Sequence, residues 1–202
     1  MTKILGIDPG NTTAYALLEG DKVTAIGTVS MLPATGKKGK KTSPALRLHT
    51  YMNQIMRIFA AYRPDKISIE EPYIKHRESA KSMDMKLAIL LVVAEAVGIK
   101  EVSLFNPNAV KITMGGHGNA EKEHLARACK TRISNPELLD NLIQDKRFDE
   151  TDAVAIAILG ALEHTPEIQV YFEELAGKRA KAKELRKKER EAKKLALMGV
   201  TK

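Results

Sequence analysis

Two hundred and two residues suit one ordinary domain with an appendage, long enough to bury a sizeable core. The formal charge of +8 is unevenly spread: residues 178–202 hold eleven Lys/Arg against three Glu, whereas residues 1–177 hold twenty-two side chains of each sign. One cysteine, Cys129, excludes an internal disulfide and a thiolate zinc cluster, and the longest apolar stretch, LAILLVVAEAVGI, is too short to span a bilayer. With no leader-like apolar segment after Met1, the expectation is a soluble cytoplasmic protein with no membrane partner. The basic block at the end suits a polyanion, nucleic acid before a membrane surface, although a merely solvated helix has the same composition.

In chain order, TKILGID is a short apolar run bounded by Pro9-Gly10 and reads as a central strand. TTAYALLEG and KVTAIGTVSM follow as antiparallel neighbours, turning at Gly20-Asp21. LPATGKKGKKTSP is a polar, lysine-rich loop. From Ala45 to Tyr62 the residues Leu48, Met52, Ile55, Ile58 and Phe59 recur at helical spacing. RPDKISIEEPY returns as a strand, ESAKSMDMKLAILLVVAEAVG as a helix ended by Gly98, and EVSLFNP as another strand. NAEKEHLARACKTR is then a helix opened by an Asn cap, with Cys129 on its apolar side as a packing residue. DETDAVAIAILGALEH is the last core helix, and beyond Pro166 a Lys/Glu/Ala-rich helix runs toward Gly199. Strands first, then strands alternating with helices, give an α/β or α+β sheet with helices on its faces.

Acids gather at the ends of these elements. Asp8 closes the first strand, and Glu70 closes KISIE with Glu71 beside it. Asp149 and Asp152, three apart, project from one face at the start of a helix. If the strands ending at Asp8 and Glu70 are neighbours, their carboxylates can meet about 5 Å apart. Four carboxylates in one place repel and are costly to bury, so either a cation sits among them or they never converge. Hard oxygen ligands suit Mg²⁺ or Mn²⁺, and two such ions roughly 3.5–4 Å apart clamp an in-line displacement at phosphorus. Plainer readings stay open: Asp149 as a helix cap, and Asp8 in DPG as a turn residue. His117 has no partner at ligand spacing and reads as a loop side chain.

Taken in order, ILGIDPG, ISIEEPY, VKITMGGHGNAEKEHL and DETDAVAIAI resemble the RuvC family of Holliday junction resolvases, over about residues 3–164. The resemblance implies a ribonuclease H-like mixed five-stranded sheet flanked by helices, a nuclease domain over residues 1–164 and a basic helical tail over 165–202. It implies a homodimer that cuts four-way junctions or related branched DNA by paired nicks, leaving 5′-phosphate and 3′-hydroxyl ends. Asp8, Glu70, Asp149 and Asp152 match the family's metal-binding acidic tetrad, served by two Mg²⁺ (Mn²⁺ substituting) per site. Lys122 matches its lysine near the scissile phosphate, and Tyr73 matches an aromatic able to stack on an unpaired base. Lys111, Lys122 and the glycine-bearing loop suit phosphate, as do Lys37, Lys38, Lys40 and Lys41 of the polar loop and Lys178 and Arg179 of the tail.

NTTAYALL departs from the glycine-bearing second strand usual in the family, and with the lysine loop and tail this suggests a phage-type member acting in a host cytoplasm. LAILLVVAEAV is apolar around its whole helix, so a second copy is expected to cover what the sheet does not. Two other classes are weighed: a catalytically weak branched-DNA-binding protein, and an actin-like or sugar-kinase-like phosphotransferase, whose fold opens on a similar GIDxG turn.

Overall fold

A computed structural model of the chain describes residues 1–35, 41–71, 77–115, 118, 120–166, 168–169, 173, 177, 184–185, 189 and 191, without side-chain detail at 77–81. Lys37, Lys38, Lys40, Tyr73, His117, Lys178 and Arg179 lie outside these residues, as does most of the expected tail helix; the described residues from 166 to 191 are helical. Two compact units are resolved, Met1–Ala161 and Leu162–Lys202, and the first carries the sheet. No helix among the described residues is long and apolar enough to cross a membrane.

The first unit is built on β1 (Lys3–Asp8), β2 (Thr13–Glu19), β3 (Lys22–Val29), β4 (Lys66–Glu70) and β5 (Glu101–Phe105), in the order β3-β2-β1-β4-β5. β1 is central. It pairs antiparallel with β2 and parallel with β4, while β3 pairs with β2 rather than directly with β1. Gly20 takes the tight β2–β3 turn at φ 64°, a conformation glycine adopts without steric cost. The mixed five-stranded sheet implied by the family resemblance is present.

Among the described residues of this unit the sheet is accompanied by α1 (Pro44–Tyr62), α2 (Arg77–Ala96), α3 (Pro107–Gly115), α4 (Lys122–Lys130), α5 (Glu137–Gln144) and α6 (Phe148–Leu162). α1 starts as its sequence dictates, with Ser43 accepting from the Leu46 amide at 3.1 Å and Pro44 in the first turn. The expected Asn cap on α4 is corrected: the capping position is Glu121, whose side chain makes no capping bond. α3 and α5 were not foreseen. Cys129 is buried on α4, and burial pushes its thiol up to about 12, as suits a packing residue.

Period two in the strands assigns the two faces of the sheet. Leu5 and Ile7 of β1, with Ile67 and Ile69 of β4, join Tyr51, Ile55 and Phe59 of α1 and Leu90 and Val93 of α2 in one buried core. The alternate positions, Gly6 and Ser68, face α6. A Cβ at Gly6 would run into the backbone of Ala153 and Ala157, and one at Gly160 of α6 would meet Ser68. Small residues therefore let α6, buried on every side from Ala153 to Gly160, lie directly against the strands. Two residues beyond Gly6 and Ser68, on that same face, stand Asp8 and Glu70.

Candidate active site

The parallel register pairs Ile7 with Ile69, so Asp8 and Glu70 end neighbouring strands at one edge. The first two turns of α6 reach that edge with Asp149 and Asp152. Carboxylate oxygens of Asp8, Asp149 and Asp152 all lie within 4.8 Å of one another, a group that could hold a divalent cation. Glu70 stands outside this trio but lines the same cleft of about 560 Å³, with Asp8, Asp152, Glu71, Asn108, Lys111 and Lys122. Asp152 is the sheltered member of the α6 pair, 15% exposed against 50% for Asp149.

The two readings of Asp8 turn out to be compatible. Its Oδ1 accepts from the Gly10 amide at 3.0 Å, the turn-residue bond, while the carboxylate faces the other acids. Asp149 lies inside the first turn of α6 rather than at its capping position, and its Oδ1 accepts from Lys122 Nζ at 3.1 Å. Lys122 also reaches Asp152 Oδ2 at 3.2 Å, so its ammonium bridges the pair.

Crowding leaves an electrostatic record. Burial, then the charges of Asp152 and Asp149, raise Asp8 to about 6, against the Gly10 bond and Lys122. Burial, then Asp8 and Asp152, raise Glu70 to about 8, against Lys111 and Lys122. Asp152 is raised by burial despite Lys122 beside it. Burial alone would lower the Lys122 ammonium, but Asp152 and Asp149 overcome it and leave it raised. The pocket is short of positive charge, which is the condition a hard cation relieves.

Lys41, the described member of the lysine loop, forms an isolated bridge with Thr35, and the cleft's lining does not include it. Sequence reasoning missed Lys86. It is almost fully buried in α2, and its ammonium donates to the carbonyl oxygens of Gly10 and, at 2.8 Å, Asn11, in the loop that follows Asp8. Burial lowers it, opposed by Asp8. Lys86 directly precedes the apolar run that starts at Leu87, and no local pattern sets it apart from a solvated lysine.

A family model described as crossover junction endodeoxyribonuclease RuvC matches residues 4–160. The chain belongs to the RuvC family. Among its relatives, the RuvC of Methylorubrum extorquens strain PA1 is 32% identical over 168 residues, covering 79% of this chain and 79% of the relative. That of Geobacter metallireducens is 28% identical over 163 residues, covering 79% and 92%. Both carry the name crossover junction endodeoxyribonuclease RuvC. Among solved structures, Thermus thermophilus RuvC in complex with a Holliday junction substrate superposes with a TM-score of 0.60 at 23% identity, over 83% of this chain and 98% of that one. The yeast mitochondrial Holliday junction resolvase gives 0.57 at 15% identity, over 78% of each chain. These two structural likenesses establish the RuvC fold. The matched span contains all four acids, Lys111 and Lys122, and the phage-type expectation finds no support in these comparisons.

Proposed function

We propose that this RuvC-family chain is a metal-dependent endonuclease that resolves Holliday junctions or closely related branched DNA. The observation that carries the reading is the convergence of Asp8 with Asp149 and Asp152 in an open cleft walled by Glu70, Lys111 and Lys122. The family name supplies the reaction, and the cleft supplies residues suited to it.

Asp8, Asp149 and Asp152 would hold the cation, with Glu70 completing a site for two Mg²⁺ or Mn²⁺ ions. When bound, such ions supply Lewis-acid activation of water and charge neutralisation at the leaving oxygen. The chain's own residues do the rest. The raised Asp8 and Glu70 are poised to give up protons as cations arrive. Lys122 exchanges its carboxylates for a phosphate oxygen of the DNA, and Lys111 offers a second positive charge in the same lining. Burial of Glu70 and Asp8 on β-strands fixes them on rigid scaffolding, so little reorganisation accompanies the reaction.

Residues 1–164 are the nuclease domain in this reading, and residues 165–202 form a tail whose Lys178, Arg179 and following bases contact duplex phosphates without regard to sequence. Lys37, Lys38, Lys40 and Lys41 contribute in the same way, and Tyr73 stacks on an unpaired base. α2 supports a homodimer. Its inner face is buried by Leu90, Val93 and Ala94, whereas Met85 and Val92 remain exposed, Val92 by 64%. A two-fold protein addresses the two strands of a two-fold junction together. A cytoplasmic location belongs to the same proposal.

The deciding experiment incubates an end-labelled four-way junction with the protein and Mg²⁺ or Mn²⁺. Paired nicks that DNA ligase can reseal are expected, along with their loss in Asp8→Asn while junction binding persists. Full turnover in excess chelator, or no cutting of any branched substrate, would refute the proposal.

A further inference from the structure

The carboxylates explain where a cation sits but not what holds the first of them still. Asp8 is the last residue of β1, and the chain leaves the strand immediately through Pro9, Gly10, Asn11 and Thr12. Its Oδ1 is fixed by the Gly10 amide, so the orientation of the carboxylate depends on where that loop lies. Apart from that one bond, no hydrogen bond among the described residues ties Gly10 to β1. A side chain from another element restrains it.

Lys86 of α2 is 2% exposed, and its ammonium donates to the carbonyl oxygens of both Gly10 and Asn11. The same nitrogen lies 5.9 Å from the centre of the Tyr51 ring, near the outer limit of cation–π reach. Tyr51 is itself pinned, its hydroxyl 2.8 Å from Thr13 Oγ1 at the start of β2. The ammonium is thus gripped between α1, α2 and the β1–β2 loop. A buried lysine is costly unless its donors are used, and two of the three are used on this loop. Being inaccessible, Lys86 is not a DNA contact.

We propose that Lys86 is a positioning residue for Asp8: by clamping the Gly10 and Asn11 carbonyls it fixes the Gly10 amide that orients the Asp8 carboxylate toward the cation. The inference rests on the reading of Asp8 as a metal ligand. Outer partners of metal ligands are worth about 10–100-fold in affinity when removed, and Lys86 acts one bond further out. Two effects oppose each other here. A positive charge near Asp8 repels an incoming cation, whereas the clamp pre-forms the site, so the sign of the change tells which one wins.

The test is calorimetric titration of Mn²⁺ into the full-length protein, with circular dichroism confirming the fold of each variant. Lys86→Met is expected to bind Mn²⁺ about tenfold more weakly than wild type, the low end of that range. Lys86→Arg, which keeps charge and donors, should bind Mn²⁺ more tightly than Lys86→Met. Lys66→Met is the matched control, because Lys66 is also buried and donates to a backbone carbonyl (Gly160, 3.0 Å) at the opposite end of β4 from Glu70. Because Gly160 lies eight residues past Asp152 on α6, Lys66→Met should lower Mn²⁺ affinity less than Lys86→Met does. The Mn²⁺ concentration for half-maximal junction cleavage should rise in parallel in Lys86→Met, with junction affinity in chelator unaltered. Should Lys86→Met not fold, Lys86→Gln carries the same comparison with a neutral donor.

Mn²⁺ affinity equal to or tighter than wild type in the Lys86 variant overturns the proposal, as does an equal loss in the Lys66 control. Wild-type protein that takes up no Mn²⁺, or whose uptake survives Asp8→Asn, removes the metal-site reading and this inference with it. Wild-type uptake lost in Asp8→Asn but kept in Lys86→Met removes only the inference.

Discussion

Gly6 of β1 and Ala157 of α6 meet backbone to backbone: a Cβ placed on Gly6 would stand 2.5 Å from the Ala157 amide nitrogen. The contact sets the height of α6 over the sheet, and thereby the separation of Asp8 from Asp149 and Asp152. Gly6→Ala should push the helix outward, with the cost of an overpacked core, about 1–3 kcal/mol. For a domain of this size that lowers Tm by about 2–4 °C per kcal/mol. Cleavage should fall further than stability does, because the carboxylates separate. A variant that melts and cuts like wild type would show that the spacing is set elsewhere.

Protonation of the site predicts an unusual pH response. Asp8 and Glu70 stand at about 6 and about 8 in the fold, above their ordinary 3.8 and 4.5. Between those values the folded protein keeps protons that the unfolded chain has released, so the native state loses stability as pH rises. In chelator, Tm should therefore decline from about pH 5 to about pH 8, and Asp8→Asn should flatten the decline. Added Mn²⁺ should protect most at the upper end, where the ligands are ionised. Thermal melts across this range measure both effects, and a Tm that climbs in chelator would contradict the first.

The outer face of α2 yields a prediction about assembly. Val92 is 64% exposed and Met85 is exposed beside it on the helix. Val92→Lys should convert a dimer into a monomer in light scattering without lowering helical content. Wild-type protein that is already monomeric at micromolar concentration would remove the dimer from the proposal.

Charge bookkeeping along the chain supplies another. All of the +8 excess lies after residue 177. Truncation after Gly177 should flatten the dependence of junction affinity on salt, while cleavage at saturating protein remains metal-dependent. An unchanged salt slope would assign the tail to solvent rather than to phosphate.

Asp8 and Glu70 were legible because each ends an apolar strand, where a charge has few reasons to be. Their convergence with Asp149 and Asp152 was legible only as a condition on strand adjacency, which the β1–β4 register satisfies. The enabling pattern was also in the sequence: Gly6 and Ser68 precede the acids by two positions and mark the face that α6 occupies. Helices α3 and α5 escaped because each is short, nine and eight residues, and each begins beside a proline that reads as a loop. Lys86 escaped for a different reason. Its partners are backbone carbonyls some 75 positions away, and no local pattern encodes that.

Half of the acidic cluster arrives on the final element of the first compact unit. A ribosome delivers Asp8 and Glu70 early, but α6 clears the exit tunnel only after nearly every other part of that unit has been made. Until then the nascent polypeptide has strands without the helix that completes the acidic cluster. On the proposed reading of the acids, prematurely terminated products that stop short of Asp149 should therefore be inert toward DNA breakage.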